Sequence, residues 1–202
     1  PEPSESGPYV VLISLDGFHP DYFLELSTTH LSRIAQRGVV AEGLEPVFPT
    51  LTFPNHVSLV TGLYPERHGI VANTFYDPER AQWYSLSNAA TVTDGSWYRG
   101  EPIWSTAERQ GVRSASFFWV GSEAEIAGYR PTYWKTYDGS VPNAARVDTV
   151  LAWLTLPDSV RPRLITLYMS DVDGAGHAGG PDSPGVQNAV HAVDLAIGRL
   201  LD

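Results

Sequence analysis

Two nearly continuous apolar runs, each ending at acidic residues, restrict this chain more than any other feature. Tyr9-Val10-Val11-Leu12-Ile13-Ser14-Leu15 meets Asp16-Gly17, and Leu164-Ile165-Thr166-Leu167-Tyr168-Met169 leads into Asp171, Asp173 and glycine. Runs this short, without polar alternation, are expected to be strands buried on both faces of a parallel sheet. The sequence between and after them alternates in pattern. Helices are expected over 20–36, 54–61, 102–110, 143–154 and 183–201, the last with Val186, Val190, Val193, Ile197 and Leu200 at helical spacing. Strands are expected to begin at Val39 and Val40 and to span 114–119. The alternation implies an α/β fold with a mostly parallel sheet and helices on both faces. In such sheets ligands gather at the carboxyl ends of strands, which is where Asp16 and Asp173 fall. Residues 64–98, rich in Gly, Pro, Asn and aromatics, have little periodicity and are expected to cover the surface near that edge. Residues 1–8 read as a flexible lead, and neither an internal repeat nor a domain linker stands out.

Composition narrows the chemistry. The 202 residues carry a net charge of −10, which argues against a nucleic-acid polymer as partner, because such binding draws on clustered Lys and Arg. A phosphate ester remains compatible with an acidic chain if metal ions supply the local positive charge. There is no cysteine, so disulfides, thiolate catalysis and cysteine-ligated zinc are excluded, and a metal must be held by Asp, Glu, His or hydroxyl oxygen. No run reaches the ~20 apolar residues of a membrane span. The polar start would suit what remains after removal of an export signal, so a periplasmic or secreted location is expected.

Thr52 lies in Pro49-Thr50-Leu51-Thr52-Phe53-Pro54-Asn55-His56, where a loop turns into a helix. Unpaired N–H groups at a helix start favour negative charge nearby, which suits a nucleophilic oxygen or a bound phosphate. The same position suits a simple N-cap. Asp173-Gly174-Ala175-Gly176-His177 sets a carboxylate and an imidazole four residues apart. Both are zinc donors at about 2.0–2.2 Å, although a glycine-rich surface turn has a similar appearance. Phosphate-ester hydrolysis needs the barrier lowered by on the order of 20 kcal/mol, of which one general acid or base supplies about 3–5. Zinc, which brings the pKa of bound water from about 15.7 to about 7, closes more of that gap and would activate a threonine hydroxyl similarly.

Four linked motifs, Leu15-Asp16-Gly17-Phe18, Thr52-Phe53-Pro54-Asn55-His56, Thr61-Gly62-Leu63-Tyr64-Pro65-Glu66-Arg67-His68-Gly69-Ile70 and Asp173 through His177, closely resemble the nucleotide pyrophosphatase/phosphodiesterase family of the alkaline phosphatase superfamily. The resemblance runs from about Tyr9 to Asp202. It implies an alkaline phosphatase-like fold, with 9–202 the N-terminal part of a phosphodiesterase catalytic domain. It implies two Zn²⁺, with Asp16 and Thr52 on one, Asp173 and His177 on the other, and the remaining ligands beyond residue 202. Thr52 becomes the nucleophile, forming a phosphothreonine intermediate on the way to a nucleoside 5′-monophosphate. Asn73 becomes the donor to a phosphate oxygen, and Phe53, Tyr137 and Tyr168 the aromatics around the base. The partners implied are a nucleotide or another phosphodiester small molecule and the C-terminal remainder of the same domain. His56 and His68 are expected to support the helix start and the loop after it, and His191 and Asp194 to form a solvated pair. The alternatives are a phosphomonoesterase of the same superfamily and a non-catalytic binding module that retains the fold. A dinucleotide oxidoreductase is disfavoured, since no Gly-x-Gly-x-x-Gly follows the first strand.

Overall fold

The computed structural model describes residues 7–202, so most of the expected flexible lead lies outside the described residues. In chain order the elements are β1 (Val10–Leu15), α1 (Pro20–Glu25), α2 (Thr29–Arg37), α3 (Thr52–Thr61), α4 (Pro65–His68), β2 (Thr74–Asp77), β3 (Gln82–Ser85) and α5 (Ala89–Val92). There follow α6 (Ile103–Arg109), β4 (Ser114–Phe117), β5 (Tyr133–Lys135), α7 (Asn143–Leu154), β6 (Leu164–Met169), α8 (Asp171–Gly179) and α9 (Pro184–Leu201). The class is α/β with a mostly parallel sheet, as expected. The chain divides into two compact units, its path crossing from one to the other within β1 and β6 and in the loops at 44–45, 137–138 and 156–157.

The first unit comprises Pro1–Val11, Glu45–Tyr137 and Pro157–Thr166. It contains β4, β5 and the leading residues of β1 and β6, in the sheet order β1-β6-β4-β5, with β4 and β5 parallel. Val10 N–H donates to the Arg163 carbonyl at 2.8 Å, and the Thr166 hydroxyl donates to Ser116 Oγ at 2.8 Å, linking neighbouring strands. β4 ends two residues sooner than its apolar pattern suggests. Phe118 takes φ 68°, a left-handed conformation that a non-glycine residue adopts at a cost and that stops the ladder. The stretch 64–98 is not a mere surface cover. It forms the antiparallel β2–β3 hairpin, with Tyr76 opposite Trp83, and buries Ile70, Tyr84, Trp97 and Tyr98. Its aromatics alternate irregularly in sequence, yet Tyr84 packs against Phe75, Trp97 and Tyr98 at centroid separations of 5.1, 5.4 and 6.2 Å. Tyr84 and Tyr98 share a 2.8 Å hydroxyl hydrogen bond, and Tyr98 donates onward to the Val92 carbonyl. Burial pushes both phenols above their ordinary pKa, so this pair stays neutral.

The second unit comprises Leu12–Leu44, Asp138–Leu156 and Leu167–Asp202. Its core is the apolar stripe of α9, where Val186, Val190, Val193 and Ile197 are buried at the predicted helical spacing. Pro184 opens that helix and the Ser183 hydroxyl caps the Val186 N–H, both familiar helix-start chemistry. α9 packs against α2, α7 and α8. The helix expected over 20–36 is two helices, interrupted between Leu26 and Thr28. Asp194, 1% exposed and far from the solvated pairing expected with His191, explains the second start. Its carboxylate accepts from the His30 N–H at 3.0 and 3.1 Å and from the Leu31 N–H at 2.8 Å, in the first turn of α2. Val39 and Val40 form no strand and are 99% and 56% exposed. β1 also departs from expectation. Among the described residues it stands at one end of the sheet order, and none of its residues is buried, although its sequence reads as a strand buried on both faces.

Candidate functional site

The expected site residues fall into two groups, one in each unit, and each group is held by its own hydrogen bonds. Thr52 is the first residue of α3, one position past the N-cap, which is Leu51. The N-cap role considered from sequence therefore belongs to another residue. Proline at 54 fits the first turn, where its missing N–H costs nothing, and Gly62 ends the helix at φ 69°. Asn73 reaches this turn from the loop ahead of β2. Its Oδ1 accepts the Phe53 N–H at 2.9 Å, which satisfies one orphan donor and orients the carboxamide. His56 braces the same turn from within the helix, its ring Nδ1 2.7 Å from the Thr52 carbonyl, which assigns the proton to Nδ1. Trp119, 2% exposed, packs edge-on against His56 at 5.4 Å and donates from Nε1 to the His56 carbonyl at 3.2 Å. His56 thus supports the helix start as expected.

The two aromatics of this unit differ in anchorage. Phe53 meets the edge of Tyr84 at 6.2 Å. Tyr137 is 49% exposed, with one edge on Phe118 at 5.2 Å and its N–H donating to Glu123 Oε1 at 3.0 Å. Glu123 is 8% exposed, and sequence reading passed over it because nothing local distinguishes it from a surface carboxylate. His68 lies under the turn after α4, fully buried, with Nε2 2.9 Å from Ser58 Oγ and Nδ1 accepting the Ile70 N–H at 3.2 Å. Burial is the main cause that lowers its pKa, so the ring is neutral with its proton on Nε2.

The other group is built where β1 and β6 end. Asp16 follows β1, its N–H donating to the Met169 carbonyl at 2.9 Å and its carbonyl accepting the Asp173 N–H at 3.1 Å. Gly17 takes φ 69°, and a Cβ there would lie 2.6 Å from Asp173 Cα, so glycine is required for this close approach. The segment Asp173 to His177 is helical rather than a surface turn. Asp171 and Asp173 occupy the first turn of α8, where the helix dipole favours carboxylates. Four-residue spacing puts Asp173 and His177 on one helix face, His177 Nε2 3.5 Å from Asp173 Oδ1, with the imidazole well exposed. Tyr168, from β6, donates its hydroxyl to Asp16 Oδ2 at 2.7 Å. It is only 6% exposed, so its ring presents little face to a base.

Carboxylate oxygen and imidazole nitrogen are the donor types zinc accepts, and the pair on α8 has the spacing to share an ion. Among the described residues no cluster of three or more His, Asp or Glu side chains forms by itself a cage for a metal. Asp173 and His177 by themselves offer two donors, fewer than the four of a closed zinc site. None of the described helices is long and apolar enough to cross a membrane.

The type I phosphodiesterase / nucleotide pyrophosphatase profile matches residues 10–202. An uncharacterized pyrophosphatase/phosphodiesterase of Schizosaccharomyces pombe is 46% identical over 194 residues, covering 96% of this chain and 40% of the relative. Human ectonucleotide pyrophosphatase/phosphodiesterase family member 1 is 45% identical over 197 residues, 96% of this chain and 21% of the relative. An inactive threonine-to-alanine variant of murine ectonucleotide pyrophosphatase/phosphodiesterase 5 in complex with AMP superposes with a TM-score of 0.89 at 36% identity, covering 96% of this chain and 52% of that one. The chain thus spans about half or less of the length of these relatives.

Proposed function

Because the chain belongs to the type I phosphodiesterase / nucleotide pyrophosphatase family, we propose that it carries the nucleophile of an enzyme that hydrolyses nucleotide phosphodiester or pyrophosphate bonds. The observation that carries this reading is the first turn of α3, where Thr52 occupies the first helical position and Asn73 is tied to the adjacent Phe53 N–H. Thr52 Oγ attacks phosphorus, forming the Thr–O–P bond as the bond to the leaving oxygen breaks. Water then cleaves the phosphothreonine, releasing a nucleoside 5′-monophosphate. The Asn73 amide Nδ2–H donates to a non-bridging oxygen whose charge grows in each transition state. Phe53 and Tyr137 flank the base, for which aromatic stacking contributes about 1–3 kcal/mol. Asp16 and Thr52 would hold one zinc ion, Asp173 and His177 a second, with further ligands from sequence beyond residue 202. Bound zinc would lower the pKa of a coordinated hydroxyl and offset charge on the leaving oxygen.

The test is turnover of a nitrophenyl nucleotide diester by the full-length protein. Thr52→Ala is expected to abolish it and Thr52→Ser to retain a fraction. Undiminished turnover by the alanine variant would remove Thr52 from the reaction, and a wild type inert toward diesters but active on monoesters would reassign the substrate. The names of the ecto-type relatives support a location outside the cytoplasm, periplasmic or secreted, which cell fractionation checks.

A further inference from the structure

Tyr168 matches a family position that faces a nucleoside base, yet its surroundings give the hydroxyl a different task. The residue is 6% exposed, and its hydroxyl donates to Asp16 Oδ2 at 2.7 Å. A hydrogen bond to a carboxylate this short is of the strong, charge-assisted kind. The main chain of Tyr168 is held as firmly. Its carbonyl accepts from Arg146 Nη1 at 3.0 Å, while Arg146 Nε donates to the Val141 carbonyl at 2.9 Å, and Arg146 is 2% exposed. A buried guanidinium thereby anchors the end of β6 by its backbone, and the phenol projecting from that point reaches the carboxylate that follows β1.

We propose that Tyr168 is a positioning residue for Asp16, its O–H fixing the rotation of the carboxylate plane and so the direction in which Asp16 presents oxygen to a cation. The inference rests on the two-metal reading above. The terminal torsion of an aspartate is broad and weakly restrained by its own chemistry, so an outside hydrogen bond decides its setting. Outer partners of metal-ligating carboxylates act in this way, and their removal typically weakens metal binding by about 10- to 100-fold. The hydroxyl, not the ring face, is then the working part of Tyr168.

The experiment measures zinc affinity of the metal-stripped full-length protein by competition with a chromophoric chelator. Tyr168→Phe, which keeps the buried ring, is expected to weaken zinc binding by about 10- to 100-fold. At saturating zinc, the ratio of KM for a nitrophenyl nucleotide diester to KM for bis(nitrophenyl) phosphate should stay at the wild-type value, because the base contact is untouched. In an Asp16→Ala background the same substitution should cost no further zinc affinity. Wild-type zinc affinity in Tyr168→Phe overturns the inference alone, as does an equal loss with and without Asp16, which would report general destabilisation. A wild-type protein that takes up no zinc overturns the two-metal reading, and this inference with it.

Discussion

Gly17 shows how narrow the tolerance is at single positions. Its left-handed φ and the 2.6 Å approach of a would-be Cβ to Asp173 Cα leave no room for a side chain. Gly17→Ala is expected to cost about 1–3 kcal/mol, the usual range for forced overpacking. Chemical denaturation of the variant checks this, and an unchanged midpoint would show that the two turns are not in contact. Asp16-Gly17 was visible in the sequence as the end of an apolar strand, but the reason for glycine was not. That reason is the backbone of Asp173, which hydrophobic patterning cannot place. Thr52 was equally visible as a residue at a helix start. His56 grips that turn from within the helix, whereas the hold of Asn73 on the Phe53 N–H depends on an oxygen brought from the loop ahead of β2.

At the scale of elements, α7 and α9 were readable almost to the residue, because amphipathic spacing and the Ser183-Pro184 start are local signals. The division of 20–36 into α1 and α2 was not, because its cause is Asp194, 164 residues away from His30 along the chain. Asp194→Ala is expected to destabilise the protein by about 1–3 kcal/mol, since it leaves two N–H groups of the first turn without their acceptor. Asp194→Asn, which keeps one oxygen, should lose less. Hydrogen exchange at His30 and Leu31 distinguishes this cap from a general packing defect: their protection should fall before that of α9 does. α8 reverses the lesson. Its glycines argue for a turn, yet the segment is helical, with Asp171 and Asp173 in its first turn and Asp173 N–H bound to the Asp16 carbonyl.

For the whole molecule, His68 ties global stability to pH. Burial holds its pKa below the ordinary 6.5, so between that depressed value and 6.5 the unfolded chain takes up a proton that the folded protein refuses. Its contribution is therefore full above pH 6.5 and is lost as pH falls through that window, at up to about 1.4 kcal/mol per pH unit. Urea midpoints across pH 5–7 should fall more steeply for wild type than for His68→Gln, and equal slopes would exclude His68 as the cause. The sequence by itself determined the α/β class, the two apolar strands that end in acid, and the identity of the motif residues, because those signals lie in short windows of chain. Tertiary structure alone decided that β1 stands at one end of the sheet order among the described residues, that 64–98 builds an aromatic core, and that the Tyr168 hydroxyl donates to Asp16. Each of those outcomes depends on which partner reaches a given strand edge, ring or oxygen through space, and side chains far apart in sequence carry no local pattern that records it.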